Sequence, residues 1–353
     1  MKIKELENKA IDLLTHLIET PSFSGEEENT SLLIQQYLKE LGIKYSTSNN
    51  NVWAKNRYFD VAKPSILLNS HHDTVKPNAN YTKDPFNPHV EEGKLYGLGS
   101  NDAGGPLVSL LSLFVSNYER KDMKYNLVMA ATGEEESSGP NGLNSLLNEL
   151  PEPDFAVVGE PTGMQLAIAE KGLLVLDGYA SGIPGHAAHE NTVNPIYKAL
   201  EDIQWFKTFE FPKISKLLGK VKMSVTQIDA GTQHNVVPAS CHFVVDIRVN
   251  DLYNNREIFE IVDQHTQSKM VARSFNLNSS SIGVQHPFVQ AGLKHGRSTY
   301  ASPTLSDQSV LSCPSLKMGP GDSKRSHSAN EYIFVDEVKE GIELFIKIFN
   351  EIL

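Results

Sequence analysis

Cysteine is almost absent. Cys241 and Cys313 are the only two in 353 residues, and neither belongs to a CxxC pair. That excludes a disulfide scaffold and a thiolate zinc site, and it fits a protein of the reducing cytoplasm. Basic residues are in deficit. Against 43 Asp plus Glu there are 32 Lys plus Arg, a formal net charge of −11, which disfavours nucleic acid and anionic membrane as partners. Long apolar runs are also missing. The most apolar stretch, residues 108–115, contains Ser109 and Ser112 and is far shorter than the roughly 20 residues that cross a bilayer. The first 20 residues interleave acids with apolar side chains, so a helix is expected there rather than a signal peptide.

What is present is the composition of a globular chain, 40% apolar and 21% charged, long enough for about two to three domains. Ile3, Leu6, Ala10, Leu13, Leu14, Leu17 and Ile18 recur at helical spacing, and Pro21 stops that helix. Ser24 followed by Glu27 reads as a capping box for a second helix that Gly42 ends. Residues 65–69, 126–131 and 155–159 are short apolar strands, with helical segments over 104–117 and 141–149 between them. This alternation predicts an α/β fold with a mixed, largely parallel sheet flanked by helices. From about residue 173 the texture changes. Strands over 173–180, 221–228 and 242–249 alternate with amphipathic segments over 194–206 and 255–267, which predicts a separate, smaller α+β layer. The terminal segment 336–353 is a helix with Ile342, Phe345, Phe349 and Ile352 on one face.

Chemistry-bearing residues gather just past the strands. The first strand runs into Ser70-His71-His72-Asp73, where alternation points His71 and Asp73 the same way and lets Asp73 accept the other ring N–H of His71. A glycine-dense segment, Gly97 to Gly105, carries Asp102 ahead of a helix. No Lys follows it, so it is not a phosphate loop of the Walker type. The second strand runs into Thr132-Gly133-Glu134-Glu135-Glu136 and the third into Glu160-Pro161-Thr162, while a rigid Gly-Pro-Gly loop near the C-terminus carries His327. Each motif alone is weak, and a solvated polar loop is the ordinary explanation for it. Together they offer two imidazoles and three carboxylates, a donor set suited to two Zn²⁺ ions. Three carboxylates and one hydroxide balance the charge of two such ions, and one neighbouring Glu is left as a base. His72, His89, His189, His234 and His286 read as surface or satisfied core histidines.

With these motifs in family order, the chain resembles the M20 family of zinc-dependent amidohydrolases over nearly its whole length. The resemblance rests on Asp84-Pro85-Phe86, Gly93 to Gly97, Ser100-Asn101-Asp102, the Glu-Glu pair, Gly159 to Thr162, Gly185-His186-Ala187, Asn235 to Pro238 and the Gly319-Pro320-Gly321 loop ending at His327. It implies one zinc on His71 and Glu160 and a second on Glu136 and His327, with Asp102 bridging, Asp73 orienting His71 and Glu135 as general base. Cobalt is a possible substitute metal. The acidic run also permits a one-residue slip, with Glu134 as base and Glu135 as ligand. Aligning Thr132 with the family's Thr selects the first register. Gly104 stands where many members have Lys, Tyr81 where many have Trp, and Lys76 displaces a Pro to position 77. None of these removes a ligand.

The resemblance further implies a discontinuous di-zinc catalytic domain over 1–172 and 284–353, with an inserted dimerisation domain over 173–283. His186 would reach a neighbouring subunit's site in a homodimer, and Asn235 and Arg248 would bind substrate. The expected activity is hydrolysis of the amide of an N-acyl amino acid, most like N-acetylornithine, as in arginine biosynthesis, with Glu135 moving the water's proton to the leaving amine. A dipeptidase, an aminopeptidase or a succinyl-diaminopimelate desuccinylase on the same scaffold is the alternative substrate reading. A non-catalytic binding protein would have lost ligands or base, and neither is lost. A glycosidase with two carboxylates would leave His71 and His327 unused.

Overall fold

Every residue of the strand Ser65–His71 is buried, because neighbours flank it on both edges. In the computed structural model, which describes residues 1–353, this strand runs parallel to Asn126–Thr132 on one side and to Phe155–Val158 on the other. Ser315–Lys317 continues the parallel run beside Phe155–Val158 and turns antiparallel against Leu166–Glu170. On the far edge Asn51–Lys55 lies antiparallel to Asn126–Thr132, and Ser46–Ser48 closes a hairpin on it. The sheet is therefore mixed and largely parallel at its centre, as the apolar runs predict.

Helices Ile3–Glu19, Gly105–Asn117 and Val335–Asn350 share one core with this sheet. Leu14, Ile18, Leu107, Phe114, Ile342 and Phe345 are among its fully buried members. Gly105–Asn117 is buried nearly all round, which explains why its sequence is almost uniformly apolar. A small antiparallel sheet of His89–Glu91, Lys94–Tyr96 and Tyr332–Phe334 ties the hairpin before the glycine-dense segment to the segment after His327.

The chain divides into two units, residues 1–168, 281–300 and 306–353 in the first and residues 169–280 and 301–305 in the second. The second is an antiparallel sheet ordered Lys222–Ala230, Ser240–Val249, Gly172–Ser181, Lys269–Ala272, packed with helices Pro195–Thr208 and Asn255–His265 around Leu176, Phe206, Phe243, Val245, Ile258 and Val262. A capping box does occur here, between Asn254 and Glu257.

Two local expectations fail. The helix expected over 141–149 shrinks to Leu143–Leu146, because the Asn141 backbone and side chain are both held by the Glu134 carboxylate at 3.0 and 2.8 Å. The Ser24/Glu27 capping box does not form. Helix Glu28–Glu40 has no side-chain cap, and Ser24 and Glu27 bond elsewhere, as described below.

In the second unit the buried Asp202 carboxylate accepts the backbone N–H groups of Gln267 and Ser268, both at 2.9 Å. Asp202→Ala leaves those donors without a partner, so a loss of about 1–3 kcal/mol is expected, read as a lower urea midpoint. An unchanged midpoint would show that the pair of bonds does not hold this connection.

Candidate metal centre

Three adjacent parallel strands end at one level. His71 is the last residue of its strand and pairs in register with Thr132, so the acidic run Glu134 to Glu136 starts beside it. Glu160 follows Phe155–Val158 by two residues. The carboxyl ends of parallel strands are where open α/β sheets collect functional groups, and the order of strands brings the three motifs together although they are far apart in sequence.

The His71 ring is 2% exposed, and its Nδ1 lies 3.0 Å from the main-chain carbonyl of Asp73 and 3.3 Å from the Asp73 carboxylate. A carbonyl only accepts, so Nδ1 carries a proton, which leaves Nε2 as the nitrogen that could ligate a metal. That Nε2 is buried without a hydrogen-bond partner. It faces Asp102 Oδ1 at 3.4 Å and Glu160 Oε1 at 3.9 Å. The second Asp102 oxygen, Oδ2, lies 3.6 Å from His327 Nε2, which in turn is 2.9 Å from Glu136 Oε2. Asp102 thus stands between the two imidazoles, with one oxygen toward each. The peptide bond after it, Asp102–Ala103, is cis.

Asp73 does more than the sequence foretells. Besides facing His71, its carboxylate accepts the backbone N–H of Glu135 and of Glu136, each at 3.1 Å, and the hydroxyl of Ser24 at 2.6 Å. Glu27 accepts the Glu134 N–H at 3.1 Å and that of Gly25 at 2.6 Å. Glu134 has φ of 57° and His327 has φ of 58°, a left-handed conformation uncommon outside glycine. The Glu134 side chain is turned to Asn141, whereas Glu136 meets His327.

Two glycines of the dense segment leave room for neighbouring side chains. A Cβ on Gly97 would lie 2.2 Å from Ile18 Cγ2, and one on Gly99 would lie 2.6 Å from Thr74 Cγ2. At both positions the close approach is to the chain itself.

Electrostatics records the crowding of acids. Burial, with Asp102 beside it, pushes the Glu160 carboxyl up to about 8. Burial also lifts Glu135 well above the ordinary carboxyl range, with Glu160, Asp307 and Glu136 adding to it. Burial opposes a charge on His71, yet Asp102 and Asp73 outweigh it and raise that imidazole well above its usual value. The bond to Glu136 raises His327 to about 9. Both imidazoles therefore sit where positive charge is favoured, and some of the acids around them cannot all ionise without it.

Two residues near this centre carry no sequence signal beyond their type. The fully buried Glu331 carboxylate accepts the N–H groups of Asn101 and Asp102 at 2.8 and 3.0 Å. Asp307 accepts the Thr132 hydroxyl at 2.8 Å, and burial raises its carboxyl to about 6. Each is distant in sequence from the loop it supports, so no spacing rule finds it.

His186, Asn235 and Arg248 belong to the second unit. Strand Gly185–His186 pairs with Val236–Val237, and the Ala187 N–H donates to the Asn235 carbonyl at 2.9 Å. His186 and Asn235 are exposed. The Arg248 guanidinium makes two bonds to Asp246 at 2.9 and 3.0 Å. Of the histidines expected to be surface or core residues, His72 is buried between Thr30 and the Asn50 carbonyl, and His286 caps helix Pro287–Lys294.

The donor set fits divalent cations. One atom from each of His71, Asp102 and Glu136 lies within 4.8 Å of the others, the orphaned Nε2 of His71 points at carboxylates, and imidazole with carboxylate oxygen is the ligand chemistry of zinc and its neighbours. Comparison with known proteins agrees. Succinyl-diaminopimelate desuccinylase of Rickettsia bellii (strain OSU 85-389) is 25% identical over 367 residues, covering 95% of this chain and 93% of the relative. The enzyme of the same name from Anaplasma marginale (strain Florida) is 27% identical over 271 residues, covering 72% and 70%. A tripeptidase from Staphylococcus aureus subsp. aureus Mu50 has the same fold, with a TM-score of 0.74 at 18% identity and 97% of each chain covered. The profile of peptidase family M20/M25/M40 matches residues 67–351, so the chain belongs to that family and is a metal-dependent amidohydrolase of the M20 type.

Proposed function

We propose that this protein hydrolyses the amide bond of an N-acyl amino acid at a pair of divalent metal ions, zinc first among them. The observation that carries the reading is Asp102, whose two oxygens face two different imidazoles at 3.4 and 3.6 Å. His71 and Glu160 would hold one ion and Glu136 and His327 the other, with Asp102 shared. Bound cations at such a centre acidify a coordinated water and polarise the scissile carbonyl. Glu135 is the base in this reading. Its backbone is fixed by Asp73, so its carboxylate would be held in place to accept the water's proton and return it to the leaving amine. The alternative register, with Glu134 as base, is less favoured because the Glu134 carboxylate is occupied by Asn141.

The acyl group is the open choice of substrate. N-acetylornithine is the expectation from sequence, and the relatives named succinyl-diaminopimelate desuccinylase put a succinyl group beside it. We assign the protein to a homodimer formed through the second unit. Strand Lys222–Ala230 is one edge of its sheet, and Ile228, Tyr197 and Leu200 are exposed at 54%, 67% and 49%, an apolar surface suited to a second copy. His186 would then assist the partner's reaction by donating to the developing oxyanion, and Asn235 and Arg248 would hold the substrate.

A panel of N-acetyl, N-succinyl and N-formyl amino acids, with dipeptides beside them, tests the activity. Release of free amine from at least one N-acyl amino acid, abolished by a chelator and restored by Zn²⁺ or Co²⁺, is expected. Turnover of dipeptides alone would replace the reading with a peptidase. Glu135→Gln should keep its metal and lose about 10²–10⁴ in kcat, whereas Glu136→Gln should lose metal first. The reverse pattern would move the roles to Glu134 and Glu135. His186→Ala and Glu135→Ala should each be nearly inactive alone. After subunit exchange their mixture should recover about a quarter of wild-type activity, since half the dimers then hold one intact site. No recovery despite demonstrated exchange would mean that His186 does not act across a dimer.

A further inference from the structure

We propose that Glu331 is a positioning residue that holds Asp102 in its two-sided pose through the main chain. This rests on Asp102 being a shared metal ligand, as argued above. Glu331 is 1% exposed, and its carboxylate bonds to main-chain N–H groups and not to the side chains that would ligate metal. Its Oε1 accepts the N–H groups of Asn101 and Asp102 at 2.8 and 3.0 Å, and the Gly99 N–H faces the same carboxylate. A buried acid beside another acid is unfavourable on its own. Its place is explained by the backbone donors it satisfies, which would otherwise be buried without partners.

Glu331 is itself anchored. It precedes Tyr332–Phe334, whose Tyr332 pairs with Tyr96, and its carbonyl accepts the Gly97 N–H at 3.0 Å. The small sheet thus delivers Glu331 to the turn of Gly97 to Asp102. Because the side chain binds at the α-nitrogen of Asp102 and of the residue before it, it fixes where the Asp102 Cα–Cβ bond points. His327 lies four residues upstream on the same segment. One stretch of chain therefore supplies a ligand and the support for the carboxylate that ligand faces.

Metal affinity, measured by competition with a chromophoric chelator, tests this without recourse to turnover. Glu331→Ala should weaken Zn²⁺ and Co²⁺ binding by about 10–100-fold, the usual cost of removing a group that holds a ligand. Glu331→Gln, which keeps an oxygen for the Asn101 and Asp102 N–H groups, should recover most of that loss. Asp202→Ala controls for general destabilisation, because it should lower the urea midpoint while leaving metal affinity unchanged. If Glu331→Ala does not fold, Glu331→Asp, which keeps the charge and loses the reach, is read the same way. Wild-type affinity in the Ala or Asp variant would overturn the proposal, and so would an equal loss in Asp202→Ala. A wild-type protein that binds no metal would overturn the metal reading instead.

Discussion

Negative charge held at close quarters is the constraint on which the rest of the centre depends. Asp73, Asp102 and Glu160 all approach the one buried ring of His71, and Glu136 and Asp102 approach His327. Carboxylates this close repel unless positive charge lies between them. Both imidazoles are lifted toward their charged forms, and Glu160 is pushed toward its neutral one. A divalent cation among these groups would satisfy several acids at once.

Crowded acids also need backbones that cannot retreat, and the fold provides them by a repeated device. Glu27 accepts the N–H of Glu134, Asp73 accepts those of Glu135 and Glu136, and Glu331 accepts those of Asn101 and Asp102. An outer set of buried acids thus grips the loops that carry the inner set. The central parallel strands and the buried helix Gly105–Asn117 supply the rigid base from which those loops emerge. Charge-assisted bonds to backbone N–H are about twice as strong as neutral ones, which lets exposed-looking loops hold unfavourable side-chain positions.

The inner set was legible in the sequence, and of the outer set only Asp73 was, through its spacing from His71, for a physical reason. Fully buried strands read as apolar runs, so the ends of 65–69, 126–131 and 155–159 could be located, and with them His71, the acidic run and Glu160. Asp102 and His327 were found through the company of glycine and proline. Glu27 and Glu331 bond to backbone N–H groups, and Asp307 meets the Thr132 hydroxyl from a distant part of the chain, so none of the three leaves a local pattern of residue types. Ser24 and Glu27 mimic a capping box, yet they serve Asp73 and Glu134, because a tertiary partner outcompeted the local one. The helix expected over 141–149 was shortened by the same kind of competition at Asn141.

The central claim is that Asp102 is shared between two metal ions. Anomalous diffraction at the zinc edge, on crystals grown from zinc-loaded protein, tests it most directly. Two peaks are predicted, about 3.5–4 Å apart, with one Asp102 oxygen on each, His71 and Glu160 around the first and Glu136 and His327 around the second. A single peak, or a pair that leaves Asp102 uncoordinated, would contradict the account.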